Sequence, residues 1–271
     1  MALYTLAAIA AAGVFLLLYM ASLAFGNNVE KHELEFGDFP KSFGTLTIFF
    51  ISDIHRRRIA DSIVSEAKGK ADIVIIGGDL MEKGVPLDRV KFNIEKLRTI
   101  GPVYFVWGNN DYEGDYRDLD AMLLDMKVKI LDNTAVLFES AEGGKVALLG
   151  VDDAGLKKDR LDLALMDAEQ GCFTILASHN PKIIDKIKPE DGISLLISGH
   201  THGGQIRIFG FGPYKKGGIE TVRGVVRLIS NGYGTTGVPL RLGVRSECHL
   251  ITLKPGMLRE STTMLHQSEI L

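Results

Sequence analysis

Residues 45–55 read TLTIFFISDIH. The run from Thr45 to Ile51 is short, rich in Ile and Phe, and apolar at nearly every position, which suits a strand buried on both faces of a sheet. It ends at Ser52-Asp53-Ile54-His55, where hydrocarbon gives way to carboxylate and imidazole. The same pattern recurs along the chain. Further strand candidates are 73–76, 103–106, 128–131, 136–138, 146–151, 173–177, 195–197, 225–229 and 248–253. Helical stretches lie near 59–68, 87–99, 119–127, 161–168 and 181–187, with Pro86 and Pro181 near helix starts, where proline fits. The first half therefore reads βαβαβα, which implies parallel strands joined by right-handed crossovers. The second half mixes hairpins with helices, and Glu142-Gly143-Gly144-Lys145 is a hairpin turn. No internal repeat and no linker rich in Pro, Gly or Ser interrupts this order, so residues 45–255 form one α/β domain.

The chain has 271 residues, 46% of them hydrophobic, and a net charge of -3. That suffices for one well-packed domain, and the near-neutral balance carries no nucleic-acid-binding signature. Cys172 and Cys248 are far apart in sequence, in apolar contexts, and read as buried structural thiols. Residues 1–28 contain no charged side chain, and the stretch from Leu3 to Phe25 is almost wholly apolar. About 20 such residues span a bilayer as a helix. A cleaved signal peptide is the rival, because Ser22-Leu23-Ala24 offers a small-x-small site. The run is long for a signal h-region and no Lys or Arg precedes it, which favours an uncleaved single-pass membrane anchor over 1–28. Lys31 and Lys41 give too little charge asymmetry to decide which side of the membrane the domain occupies. Residues 29–44 read as a connecting segment and 256–271 as a polar tail.

The chemistry collects at strand ends. After the strand candidates come Ser52-Asp53-Ile54-His55, Gly77-Gly78-Asp79, Gly108-Asn109-Asn110-Asp111, Ser178-His179-Asn180-Pro181 and Ser198-Gly199-His200-Thr201-His202. In open α/β sheets the C-terminal strand edge is where ligands bind. Four of the seven histidines, His55, His179, His200 and His202, fall in these loops. Carboxylates, imidazoles and an amide oxygen are metal-ligand types. Asp53 and His55, like His200 and His202, stand at i and i+2, which in extended backbone points them to one side about 7 Å apart. A pair of metals about 3.5–4 Å apart could be gripped by both pairs. Singly, each cluster has an ordinary alternative as a turn or surface loop. Five in this order, all at strand ends, point to a metal site.

This ordered set resembles the calcineurin-like metallophosphoesterases, whose pattern is D-x-H, G-D, G-N-H-[DE], a lone H and G-H-x-H, and is most similar to their membrane-associated bacterial phosphodiesterase-like branch. The resemblance runs from about residue 45 to residue 253. It implies a four-layer αββα sandwich of two mixed β-sheets flanked by helices, preceded here by the N-terminal transmembrane helix. It implies two divalent metal ions, one held by Asp53, His55, Asp79 and His202, the other by Asp79, Asn109, His179 and His200, with Asp79 bridging. Mn, Fe or Zn suits such a mixed oxygen and nitrogen set. The implied reaction is in-line attack on phosphorus by a metal-bound hydroxide, with Asp79, Asn110 and His200 as the catalytic positions. One departure stands out: the family places histidine directly after the ligand asparagine, and this chain has Asn110. Asparagine can donate a hydrogen bond to a phosphoryl oxygen but cannot act as a general acid near neutral pH. Another group does that work, or the substrate has a good leaving group, or the enzyme is slow.

Arg56, Arg57 and Arg58, directly after His55, and Arg241 are candidates for binding substrate phosphate or lipid headgroups. The expectation is a membrane-anchored dinuclear phosphoesterase acting on a phosphodiester or pyrophosphate bond, and the anchor suggests a lipid-linked substrate. The rivals are a phosphomonoesterase or protein phosphatase and, from another class, an inert metal-stabilised membrane binding module. An amidohydrolase also uses H-x-H, but needs it at the first strand, whereas here it comes late.

Overall fold

The computed structural model describes residues 1–256. The tail expected at 256–271 lies, from residue 257 on, outside the described residues. Helix α1 (Ala2–Ala24) comes first, and residues 1–19 of it and its start are exposed.

Twelve strands then form two six-stranded sheets among the described residues. The first contains β1 (Asn28–Phe36), β2 (Leu46–Ile51), β3 (Ile73–Gly77), β4 (Val103–Val106), β5 (Lys129–Ile130) and β12 (Glu247–Pro255), in the order β1-β12-β2-β3-β4-β5. Strands β2 to β5 run parallel, as the βαβ reading requires, and β12 is antiparallel to β2. The second contains β6 (Thr134–Glu139), β7 (Lys145–Gly150), β8 (Phe173–Ala177), β9 (Ile193–Ser198), β10 (Gly218–Val222) and β11 (Val225–Ile229), in the order β10-β11-β9-β8-β7-β6. Here β7, β8, β9 and β11 are mutually parallel, while β6 and β10 are antiparallel edges.

The layering follows from strand alternation. Every β2 residue is buried, because both faces are covered. Ile48 and Phe50 turn into the space between the sheets, where they meet Ile75, Leu148, Ile175 and Ile197. Phe49 and Ile51 turn the other way, onto α2 (Asp61–Ala67), α3 (Leu87–Arg98) and α4 (Tyr116–Asp125) through Ile63, Ile94 and Leu123. The outer face of the second sheet is covered by α5 (Leu161–Met166) and a 3-10 turn at Pro181–Asp185, through Ala164, Ile183 and Ile184. The result is the expected four-layer αββα sandwich.

Two strands differ from the sequence reading. The stretch taken as a connecting segment carries β1, paired in parallel with β12 along its whole length. Lys31, Glu33 and Glu35 face solvent while His32, Leu34 and Phe36 turn inward. An edge strand with charges on one face lacks the apolar continuity of a central strand, and such charges discourage edge-to-edge association. The edge strand β10 is exposed on both faces and has no apolar run to mark it in the sequence.

Candidate metal centre

The five strand-end clusters converge at one edge where the two sheets meet. Asp53, His55, Asp79, His179 and His202 are buried, and Asn109 and His200 are partly so. The backbone that carries them is unusual. Asp53, His55, Asp79, His200 and His202 all have φ between 50° and 73°. Left-handed backbone is uncommon outside glycine, and where it collects it marks a site whose surroundings over-determine it. This corrects the expectation of extended D-x-H and H-x-H pairs: the backbone turns at Asp53, His55, His200 and His202, so neighbouring side chains can diverge.

The donor atoms form two adjoining groups. In the first, His55 Nε2 lies 3.2 Å from His202 Nε2, and His202 Nε2 lies 3.4 Å from Asp53 Oδ1. In the second, His200 Nδ1 lies 3.0 Å from Asn109 Oδ1 and 3.2 Å from His179 Nε2. Asp79 Oδ2 stands between them, 3.7 Å from His55 Nε2 and 3.3 Å from His179 Nε2.

Five of the seven candidate ligands are held by a partner behind them. A carbonyl oxygen only accepts, so His179 Nδ1 donates to Gly77 O at 2.8 Å, leaving the Nε2 lone pair facing the site. His55 Nδ1 lies 3.1 Å from Glu82 Oε2, a carboxylate behind an imidazole in the manner of many metal sites. The Asn110 N–H donates to Asp79 Oδ1 at 2.8 Å, which leaves Oδ2 for the centre. Ser52 Oγ and the His200 N–H hold Asp53. Asn109 Nδ2 donates to Asn110 Oδ1 at 2.9 Å, turning Asn109 Oδ1 inward.

Asp111, buried beside these groups, accepts the N–H groups of Asp79, Met81 and Gly108, tying the loop after β3 to the loop after β4. That junction is tight, and a Cβ at Gly108 would collide with Asp79 Oδ1. At Gly78, with φ of 81°, a Cβ would meet the His179 ring.

Electrostatics agree with this donor set. Burial alone would raise the Asp53 carboxyl, but the imidazoles of His202, His179 and His55 hold it down to about 2. Burial, aided by His55 and Arg241, lowers His202 to about 4, so it offers a lone pair at neutral pH. Burial would lower His179 too, but Asp79 and Asp53 outweigh it and raise it to about 10. A proton and a cation would compete for that lone pair. Two imidazole nitrogens facing each other at 3.2 Å, twice over, repel unless a proton or cation lies between them. The residues therefore fit divalent cations.

An open cleft of about 320 Å³ leads to the centre, lined by Asn109, Asn110, His200, Gln205, Tyr214 and Thr236 among others. The candidate arginines lie elsewhere. Arg56 pairs with Glu82. Arg57 donates to the carbonyls of Ala24, Phe25, Gly26 and Tyr233, with its guanidinium 3.7 Å from the Tyr233 ring centroid. Arg58 lies over Phe92. Arg241 is fully buried and donates to the carbonyls of Asn231, Gly232 and Gly234 behind His202. The sequence reading gave no role to Glu82, Asp111 or Asp153. Asp153 follows β7 at the same edge, buried, within electrostatic reach of His179 and His200. An Asp152-Asp153 pair after a strand was the signal available.

Comparison with known proteins points the same way. A family model of the calcineurin-like phosphoesterases matches residues 46–204. The protein YpbG of Bacillus subtilis is 45% identical over 236 residues, covering 86% of this chain and 90% of that protein. A metallophosphoesterase of Helicobacter pylori (strain J99) is 30% identical over 78% of this chain, and a Danio rerio transmembrane protein with metallophosphoesterase domain is 30% identical over 79%. The chain spans 60% and 54% of those two proteins' lengths. Among solved structures, the Thermus thermophilus sulfate thiohydrolase SoxB superposes with a TM-score of 0.52 at 15% identity, covering 78% of this chain and 57% of that one, a likeness of fold. The chain belongs to the calcineurin-like phosphoesterase family and is a hydrolase of phosphoric esters.

Proposed function

We propose that this protein is a membrane-anchored, dinuclear metal-dependent phosphoesterase that hydrolyses a phosphodiester or pyrophosphate bond. The observation that carries this reading is the position of Asp79 Oδ2, within 3.7 Å of an imidazole from each donor group. One carboxylate oxygen shared by two sets is what a bridged pair of cations needs. Asp53, His55 and His202 would hold one, Asn109, His179 and His200 the other, with Asp79 common to both. Mn, Fe or Zn fits the donors. When bound, such a pair supplies Lewis acidity and a hydroxide nucleophile at neutral pH. The chain's own groups do the rest. Gly77 O and Glu82 fix the imidazoles, and the Asn110 N–H fixes Asp79. The Asn110 amide nitrogen is left to donate to a phosphoryl oxygen at the cleft wall.

The charge of the cleft supports a diester over a monoester. Among the described residues that line it there is no Lys or Arg. A dianionic monoester gains more from such cations than a monoanionic diester does.

Membrane anchoring is supported by α1. Its exposed residues 2–19 extend about 27 Å, close to a hydrocarbon core of about 30 Å. Its last turn is built into the domain: Met20 and Ala24 are buried, and Arg241 and Ser246 donate their N–H groups to the carbonyls of Met20 and Leu23. A signal peptidase needs the small-x-small segment extended and free, so this favours the anchor.

The test uses the full chain in detergent with Mn²⁺ and a generic aryl phosphodiester beside its monoester. The diester should turn over faster, and Asp79→Ala and His200→Ala should each lose about 10³-fold or more. Undiminished turnover in those variants would overturn the site, and no turnover with any divalent metal would overturn the enzyme.

A further inference from the structure

The exposed large apolar side chains of the domain are mostly scattered, which is normal for a soluble surface. One group is not. Ile206 to Phe211 forms a tight hairpin closed by reciprocal bonds between Ile208 and Phe211. At its tip Ile208 is 59% exposed, Phe209 96% and Phe211 81%. Phe209 also has φ of 50°, so the turn presents its ring outward at the expense of backbone strain. Lys215 and Lys216 follow, both exposed.

The place of this hairpin gives it meaning. Its base is bonded to the segment around Leu242: Arg207 donates its N–H to Leu242 O, and Leu242 donates to Gln205 O. The adjoining Arg241 N–H bonds Met20 O, in the last turn of α1. So the hairpin stands beside the point where α1 leaves the domain, its tip two residues, roughly 7 Å, beyond the paired base. Val238, 53% exposed, lies in the neighbouring loop, whose Thr236 and Val238 carbonyls accept from Gln205 Nε2. Residues 2–19 are the exposed part of α1. Eighteen residues rise about 27 Å, close to the hydrocarbon thickness of about 30 Å. A membrane-spanning α1 with no slack would bring the domain face around Met20 against the bilayer surface. The same loops supply Gln205, Tyr214 and Thr236 to the cleft.

We propose that the Ile208–Phe211 hairpin tip, with Val238, is an interfacial membrane contact that seats in the headgroup region beside α1 and opens the catalytic cleft toward phosphoesters of lipid headgroups. Phe and Ile side chains bury at the headgroup and acyl boundary in interfacial anchors, and Lys215 and Lys216 suit an anionic leaflet. The inference rests on α1 being a membrane anchor, and the test separates the two.

Trp107 is the only native tryptophan and is buried. Phe209→Trp, Phe211→Trp, Leu6→Trp and Met166→Trp would each be placed in the full chain. The variants are reconstituted in vesicles of phosphatidylcholine and phosphatidylglycerol with brominated acyl chains. Phe209→Trp and Phe211→Trp should show blue-shifted emission and loss of intensity, as Leu6→Trp does, while Met166→Trp, on α5, should show neither. Quenching of Leu6→Trp without quenching of either hairpin variant overturns the proposal and leaves the anchor standing. Quenching of none overturns both. If the hairpin variants stay unquenched and Phe209→Asp dissociates a dimer in sedimentation, the surface belongs to a second copy of the chain and the proposal fails.

Discussion

Asn110 holds two positions of the site at once. Its N–H fixes Asp79, and its side-chain oxygen fixes the amide of Asn109. Histidine at this position would bring a titratable proton donor but disturb the Asn109 amide. Asn110→His should therefore raise turnover on poor leaving groups by about 10²-fold or more, the usual return from general acid catalysis. Good leaving groups should be little affected, and the metal concentration needed for half-maximal rate should rise. The dependence of rate on leaving-group pKa reads this directly. A flat response would show that the site has another proton donor or needs none. At this scale the seven metal-ligand candidates were legible because ligand chemistry is written in residue type and order. Glu82, Asp111 and Arg241 were not, because their roles lie in what they touch. Nothing local shows that the carboxyl of Asp111 will meet three N–H groups from two different loops, or that Arg241 will be buried behind His202 rather than face a phosphate.

Among the elements, α1 and the loop after β2 are joined by one side chain. Arg57 sits two residues past His55 and gathers the carbonyls at the C-terminus of α1, where the helix dipole favours a cation. Arg57→Ala leaves those carbonyls without their donor and removes the stacking on Tyr233, at a cost of about 2 kcal/mol. The variant should become sensitive to chymotrypsin at Leu23 and Phe25 while the sandwich stays folded. Arg57→Lys should not restore resistance, since one ammonium cannot serve four carbonyls. Resistance unchanged from the parent chain would show that the joint does not depend on Arg57. Central strands such as β2, β3 and β8 were legible from continuous apolar runs. Edge strands β1 and β10 were not: β1 covers one face between charged neighbours, and β10 is exposed on both faces, so neither carries a continuous apolar run. The left-handed turns at the ligand residues were hidden as well, since Asp and His betray that backbone far less than glycine does.

For the whole molecule, the division into an apolar segment and one sandwich domain was readable from composition, but the seam between them was not. The sequence suggested a break at residue 28 and a connector after it. In the structure, main-chain bonds run from Met20 and Leu23 to Arg241 and Ser246, at the far end of the chain. Cleavage after Ala24 would sever a segment that the folded domain grips from both sides. Protein isolated from its host's membrane fraction should accordingly still carry residues 1–24 joined to the domain, seen by mass spectrometry as peptides that span Ala24 and Phe25. A species shortened by the first two dozen residues would identify a processed protein instead.

The gripped end of α1 has a mechanical consequence. A domain tethered by a flexible linker feels nothing of the bilayer's dimensions. A helix whose last turn is built into the domain has no hinge, so hydrocarbon thinner than the helix's apolar length tilts the helix and takes the domain with it, while thicker hydrocarbon must thin around it and draw the domain face closer. Under the anchored reading, the angle of the cleft to the membrane plane is then set by acyl-chain length and lipid order. The same joint that positions the site would make its output follow the thickness of the membrane around it.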